Sequence, residues 1–252
     1  MRYGILGDIH GNLEALDTVL ERLAQEKPDR YFCLGDLVGY GTDPSTCIKK
    51  VRELNCPIVA GNHDFAAAGV IDTDFFNIAA RNAIYWTTKH LTNQDKEFLR
   101  HLKLIEKVPE SNNTSIMFTH SSPYQPELFE YIQTDYDLWM GFNNQETQLC
   151  FIGHSHIPTG FVLNNGETKD KATVSLINSF NFKVEPNQKL IINAGSVGQP
   201  RDEDPRACYA VYDDATKEIH IERVEYDIEK AGSKIIRSGL PASLAERLKH
   251  GR

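Results

Sequence analysis

The sequence has no cysteine pair at metal-finger or redox spacing, no long apolar run, no repeat and no excess of positive charge. Each absence removes a class of function. Its five cysteines, Cys33, Cys47, Cys56, Cys150 and Cys208, are odd in number and include no CxxC. Neither a disulfide framework nor a structural zinc site is therefore expected. Cys33 and Cys150 stand inside apolar runs and read as plain core residues. No stretch approaches the roughly 20 apolar residues of a membrane-spanning helix. The start, Met1-Arg2-Tyr3-Gly4-Ile5-Leu6, lacks a basic region followed by an apolar one, so a cytoplasmic protein without a secretory signal is expected. Lysine and arginine number 27 against 35 aspartate and glutamate, a net charge of −8. Such a surface repels long nucleic acids and anionic membranes, so neither is an expected partner. A small phosphate is not excluded, because bound divalent cations would reverse the local potential. With no repeat or Pro/Gly-rich linker in 252 residues, one domain over 1–252 is expected.

What is present begins as an α/β pattern. Residues 2–7 read as a buried strand. Residues 12–26 place Leu13, Leu16, Val19, Leu20 and Leu23 on one helical face. A strand at 31–34, a helix from Pro44 to Leu54 with Asp43 as N-cap, and a strand at 57–60 follow. This order predicts parallel strands with right-handed crossovers. Helix is expected over 75–102, broken near Thr92 by a capping box with Asp95, and again over 135–147. Strands are expected at 116–119 and 149–152. Further on, strands at 159–163, 173–178, 189–193, 207–212 and 218–224 have no helix between them and read as an antiparallel half. Asn164-Asn165-Gly166 is a hairpin signal there. Helices return at 226–237 and 241–249. The expected architecture is two facing mixed sheets with helices outside, a four-layer α/β/β/α sandwich.

Five polar segments each follow an expected strand: Gly7-Asp8-Ile9-His10-Gly11-Asn12, Gly35-Asp36, Gly61-Asn62-His63-Asp64, Thr119-His120 and Gly153-His154-Ser155-His156. Ligands of α/β sheets bind at the carboxyl ends of strands, so the five would converge on one crevice. They hold five of the nine histidines. Imidazole with carboxylate suits manganese, iron, zinc or nickel, whereas an all-oxygen site suits magnesium or calcium. Singly, each residue has a plain structural reading. Asp8 could cap the next helix, Asn62 could serve a turn, and His120 could be a satisfied core histidine. His90, His101, His220 and His250 lie outside the set and read as surface or helix residues. Asp202-Glu203-Asp204 reads as a solvated loop rather than a further metal site.

In this order the segments resemble the signature of the calcineurin-like metallophosphoesterase superfamily: D-x-H, G-D, G-N-H-[DE], a lone H, and G-H-x-H. All five elements occur between residues 8 and 156. The resemblance implies that Asp8, His10 and His156 bind one divalent transition metal and Asn62, His120 and His154 a second, with Asp36 bridging. Manganese or iron is favoured. It implies hydrolysis by attack of a metal-bridging hydroxide. His63 would be catalytic, protonating the leaving group or stabilising the phosphoryl charge.

The substrate must be read outside the ligands. In the Ser/Thr protein phosphatase branch the second motif continues as G-D-x-V-D-R-G, whereas Gly39 and Tyr40 occupy the Asp and Arg positions here. A glycine cannot orient a histidine and a tyrosine cannot supply a bidentate cation. The segments 35–44 and 193–201 resemble small bacterial and archaeal phosphoesterases related to diadenosine tetraphosphatases. The second segment is expected beside the G-H-x-H loop. Arg201 is then a candidate for a distal phosphate and Tyr40 for stacking on a base or sugar. The expectation is hydrolysis of a phosphodiester or phosphoanhydride in a small nucleotide-type substrate. The alternatives are a phosphomonoesterase or protein phosphatase of the same superfamily, a nuclease, or a non-catalytic scaffold like the retromer subunit on this fold.

Overall fold

Alternation along the strands sorts the apolar side chains onto two faces. In the computed structural model, residues 1–110, 115–164 and 181–252 are described. In strand β1 (Arg2–Leu6), Tyr3 and Ile5 point one way and Leu6 the other. In β4 (Ser115–Thr119), Ile116 and Phe118 likewise oppose Met117. In β8 (Gln188–Asn193), Leu190 and Ile192 oppose Ile191. The first set from each strand meets in one apolar layer between two sheets. There Phe32 stacks on Phe118 with ring centroids 4.1 Å apart and planes 5° from parallel. Burying each such ring contributes about 1.5–3 kcal/mol.

One sheet has the order β2 (Arg30–Cys33), β1, β9 (Ala207–Asp213), β10 (Glu218–Val224), β7 (Asn181–Lys183). Only β1 and β2 run parallel in it, from Tyr3 opposite Arg30 to Leu6 opposite Cys33. The other has the order β3 (Ile105–Pro109), β4, β5 (Leu149–Ile152), β8, β6 (Thr159–Asn164), with β4, β5 and β8 mutually parallel. Helices α1 (Leu13–Glu26), α2 (Pro44–Glu53), α3 (Asn62–Ala68) and α5 (Asn93–Arg100) cover the outer face of the first sheet. Helix α6 (Asp135–Asn144) covers the second through Leu138 and Phe142. Helices α4 (Ile78–His90), α7 (Ile228–Arg237) and α8 (Ala242–His250) form a satellite cluster that also encloses Tyr40. The result is the expected four-layer sandwich. No described helix is long and apolar enough to cross a membrane.

Several local expectations differ. The later strands pair antiparallel as expected, β6 (Thr159–Asn164) with β8 and β9 with β10, but they are split between the two sheets rather than forming one half. β8 lies parallel to β5 because its apolar run is buried on both faces, which suits a central strand, while β9 and β10 complete the first sheet. The strand expected at 57–60 is reduced to two bridges, Ile58 with Cys33 and Val59 with Lys103, because α3 starts directly after Gly61. Asp43 precedes α2 but makes no side-chain cap; its carboxylate pairs with Lys234 instead. The break at Thr92 is present, with its capping box to Asp95. The expected strand at 173–178 and the Asn165-Gly166 turn lie outside the described residues.

Candidate metal centre

The five segments do meet at one end of the sandwich. Asp8 and His10 follow β1, Asp36 follows β2, Asn62 and His63 open α3, His120 follows β4, and His154 and His156 follow β5. Asp8 does not cap α1; Asn12 does, accepting from the Ala15 amide at 3.2 Å. Its carboxylate instead accepts the His154 amide at 3.0 Å, tying the two sheets together at the site. Asp8, His10, Asp36, His154 and His156 all adopt left-handed backbone, with φ between 50° and 68°. Such non-glycine conformations cost about 1–3 kcal/mol each and cluster where side chains must be aimed.

The aim is inward. Nδ1 of His10, His120 and His156 each faces a backbone carbonyl, of Val38 at 3.0 Å, Leu34 at 2.7 Å and Gln199 at 2.6 Å. A carbonyl can only accept, so these nitrogens carry the hydrogen, and in the neutral rings of His10 and His156 Nε2 keeps a bare lone pair. The Nε2 atoms of His10 and His156 then stand 3.0 Å apart. Two lone pairs at that distance repel unless a cation shares them. His120 Nε2 lies 3.2 Å from His154 Nδ1. Beside them, Asn62 Oδ1 is buried with no hydrogen-bond partner. Atoms able to ligate a metal fall into two groups, Asp8, His10, Asp36 and His156, and Asp36, His120 and His154, each set within 4.8 Å. Asp36 belongs to both. The donor set fits divalent transition ions.

Around this core, the His63 ring lies 4.9 Å from that of His10 and 4.5 Å from that of Tyr40. Its Nδ1 is buried without a partner. Gly39 makes room for it: with φ +91°, a Cβ there would fall 2.4 Å from that Nδ1. Arg201 donates to Gln199 Oε1 at 2.9 Å and to the Tyr40 hydroxyl at 3.3 Å. As expected, residues 193–201 adjoin the site, with the Gly198 amide donating to Asp8 O and the Arg201 amide to His156 O. An open cleft of about 730 Å³ leads to Asp36, Asn62 and His63 past Phe75, Phe76 and Tyr131.

Residues 1–217 match the calcineurin-like phosphoesterase superfamily domain. The chain belongs to that superfamily. It is 42% identical over 251 residues to an uncharacterized protein of Methanocaldococcus jannaschii, covering 98% of this chain and 97% of the relative. A metallophosphoesterase from Sphaerobacter thermophilus shares the fold with TM-score 0.83 and 36% identity, over 100% of this chain and 99% of that one. A hypothetical protein of Pyrococcus horikoshii, 20% identical with TM-score 0.79 over 100% and 98%, is similar in fold. This calcineurin-like phosphoesterase is thus a hydrolase of phosphate esters from a family that depends on divalent metal.

Three residues that hold the phosphoesterase site together had no role assigned from sequence. Asp64 accepts the amides of Leu37, Val38 and Gly61, fixing the Asp36 loop to the start of α3. Asn193 donates to Gly153 O and Ser155 Oγ and so pins the G-H-x-H loop. Ser196 Oγ donates to Asp8 O at 2.8 Å. The Gly61-Asn62-His63-Asp64 motif contained the signal for the first. Asn193 and Ser196 are ordinary polar residues until the loops are in place.

Burial sets the charge state of the metal-free site. It pushes His10 and His154 well below the ordinary imidazole range, His156 below it, and His63 down to about 4. His120 is the exception: burial lowers it, but the Asp36 carboxylate outweighs burial and raises it. Asp36 is likewise held well below the usual carboxylate range, its burial overcome chiefly by the charge and hydrogen bond of His120. For the depressed histidines the unfolded chain takes up protons below about pH 6.5 while the folded chain does not, so stability falls as pH drops through that range. The His120 contribution is complete below about pH 6.5 and is lost only as pH rises through its raised pKa. That of Asp36 is lost only below about pH 4. Neither offsets the slope between; Asp64, pushed up to about 8 by burial, opposes it as one group against four histidines. The chelator-treated protein should therefore melt at progressively lower temperature from pH 6.5 to 4.5. A midpoint that rises over this interval would contradict neutral buried imidazoles.

Proposed function

We propose that the protein is a two-metal phosphohydrolase that cleaves a phosphodiester or phosphoanhydride in a small nucleotide-type substrate. The observation that carries this reading is Asp36. Its Oδ2 lies 3.5 Å from His10 Nε2 and 3.4 Å from His120 Nε2, one buried carboxylate between two histidine groups. In this reading Asp8, His10 and His156 would hold one ion and Asn62, His120 and His154 the other, with Asp36 shared between them. Manganese or iron is the preferred pair, with zinc and nickel admitted by the same donors. When bound, such ions would acidify water and neutralise phosphoryl charge.

The chain's own groups do the rest. His63 faces the cleft and, neutral in the resting protein, offers an N–H to a phosphoryl oxygen. An anionic phosphate beside it favours its protonated form, which can deliver a proton to the leaving oxygen. Tyr40 is not free to stack on a base, because its ring is buried against His10 and His63. Its hydroxyl positions Arg201 instead. The rings that line the cleft and are open to a flat substrate ring are Phe75, 99% exposed, and Tyr131, 40%. A cleft of this size suits an organic substrate better than a phosphate alone. Gly39 and Tyr40 argue against the protein phosphatase branch. The five free thiols fit a reducing, cytoplasmic setting.

The test is a turnover panel on metal-analysed protein. Two equivalents of manganese or iron per chain are expected, with activity lost on chelation. Bis(p-nitrophenyl) phosphate and diadenosine tetraphosphate should exceed p-nitrophenyl phosphate in kcat/KM by about tenfold or more, about 1.4 kcal/mol. A monoester preference overturns the subclass, and saturation at one equivalent overturns the bridged pair.

A further inference from the structure

The family match ends at residue 217, yet α8 lies beyond it and reaches the cleft. We propose that Arg247 of α8, together with Arg201, forms a subsite for a second phosphate group of the substrate, outside the one being cleaved. The inference rests on the phosphohydrolase reading in placing the cleaved phosphate at the metal centre.

Pairing of the nearby arginines singles out these two. Arg223, Arg206 and Arg252 are matched with Asp202, Asp204 and Glu203 in the acidic loop expected from sequence to be merely solvated. The two that face the cleft are not matched in this way. Among the described residues Arg201 is held by Gln199 Oε1 and the Tyr40 hydroxyl, and Arg247 donates through Nε to Arg252 O at 2.6 Å. None of these is a side-chain carboxylate, and among the described residues Nη1 of Arg201 and both Nη groups of Arg247 are left for an oxyanion.

The spacing between them is fixed. The Glu203 amide donates to Gly251 O at 2.9 Å, and Arg252 pairs with Glu203 at 3.2 Å. The loop carrying Arg201 is therefore fastened to the end of α8. Arg201 is the inner of the two, since its amide donates to His156 O and its side chain reaches the hydroxyl of Tyr40, whose ring packs on His10 and His63. Arg247 is half-buried near Arg201 and Tyr40, and burial first, then the charge of Arg201, lowers its pKa. Two like charges held together at a partly desolvated wall are relieved by an anion that both can bind. Asp72, Glu127 and Glu130 also line the cleft and would oppose a phosphate placed against them. The substrate class narrows accordingly, to nucleotides with two or more linked phosphates.

Inorganic pyrophosphate, titrated into chelator-treated protein by calorimetry, tests the subsite apart from catalysis. Arg247→Gln should bind it about tenfold more weakly than wild type, and Arg247→Lys should recover part of the loss. Equal affinity in wild type and Arg247→Gln overturns the subsite. In manganese-loaded protein, Arg247→Gln should lose about tenfold more kcat/KM on diadenosine tetraphosphate than on bis(p-nitrophenyl) phosphate, mainly through KM. Equal losses on both substrates, meaning a merely structural role, also overturn it. An inactive wild type whose pyrophosphate binding depends on Arg247 sinks the hydrolase reading and supports the subsite.

Discussion

Asp36→Asn is expected to reduce turnover on the order of a thousandfold or more while leaving the protein folded and short of both metals. The substitution keeps the shape. Asp36 Oδ1 accepts the His63 amide at 2.9 Å, and an asparagine oxygen can accept it equally. Gly61 packs so close that a Cβ there would fall 2.0 Å from Asp36 Oδ1, so the side chain has little freedom to turn. What changes is the other atom. Oδ2, between His10 and His120, becomes an amide nitrogen with hydrogens and no lone pair to share. One change thus removes a ligand from each group at once. Loss of the negative charge also leaves the raised His120 without its partner. Metal analysis, turnover and a melting curve on one preparation check all three consequences. Normal activity, or two tightly bound ions, would end the bridged two-metal reading.

The centre was legible in the sequence because its residues are short motifs placed directly after apolar strands. Asp8, Asp36, His120 and His154 each stand within three residues of a strand end, and parallel strands bring such ends to one edge. What tertiary packing decides was not legible. The run 57–60 looks like any buried strand, and nothing local shows that Asn62 will start a helix and leave only two bridges behind it. β3 and β7 are edge strands of five and three residues without strong alternation, one of them ending in Pro109. Sheet membership was equally hidden. Consecutive strands late in the chain suggest hairpins, whereas β8 and β9 go to different sheets because the buried run 190–192 fits only a central place.

The same division applies to the substrate side. Arg201 could be singled out because its segment resembles a subfamily pattern, but Arg247 sits in an unremarkable amphipathic helix. Its meaning depends on which neighbours are already paired. Tyr40 shows the converse. An aromatic residue beside a ligand motif suggests stacking on a substrate ring, yet its position under Arg201 and between two histidines makes it part of the wall.

His63→Ala is expected to keep both metals and lose about two to four orders of magnitude in kcat. Its contribution to the metal site runs through its backbone amide on Asp36, which alanine retains. Its ring is no ligand in either histidine group, and its neighbours there are His10, Tyr40 and Phe76. If its role is to protonate the leaving oxygen, the loss should be smaller with p-nitrophenolate, which leaves unaided, than with a nucleotide alcohol. Equal losses would assign the ring to phosphoryl stabilisation. Gly39→Ala supplies a second view of the same ring, since the new Cβ would meet Nδ1 at 2.4 Å and displace it. That change should slow the wild-type enzyme severely but add little in the His63→Ala background, because the displaced group is already gone. Fully multiplicative losses would show that Gly39 acts elsewhere, and loss of metal in His63→Ala alone would return the histidine to the ligand set.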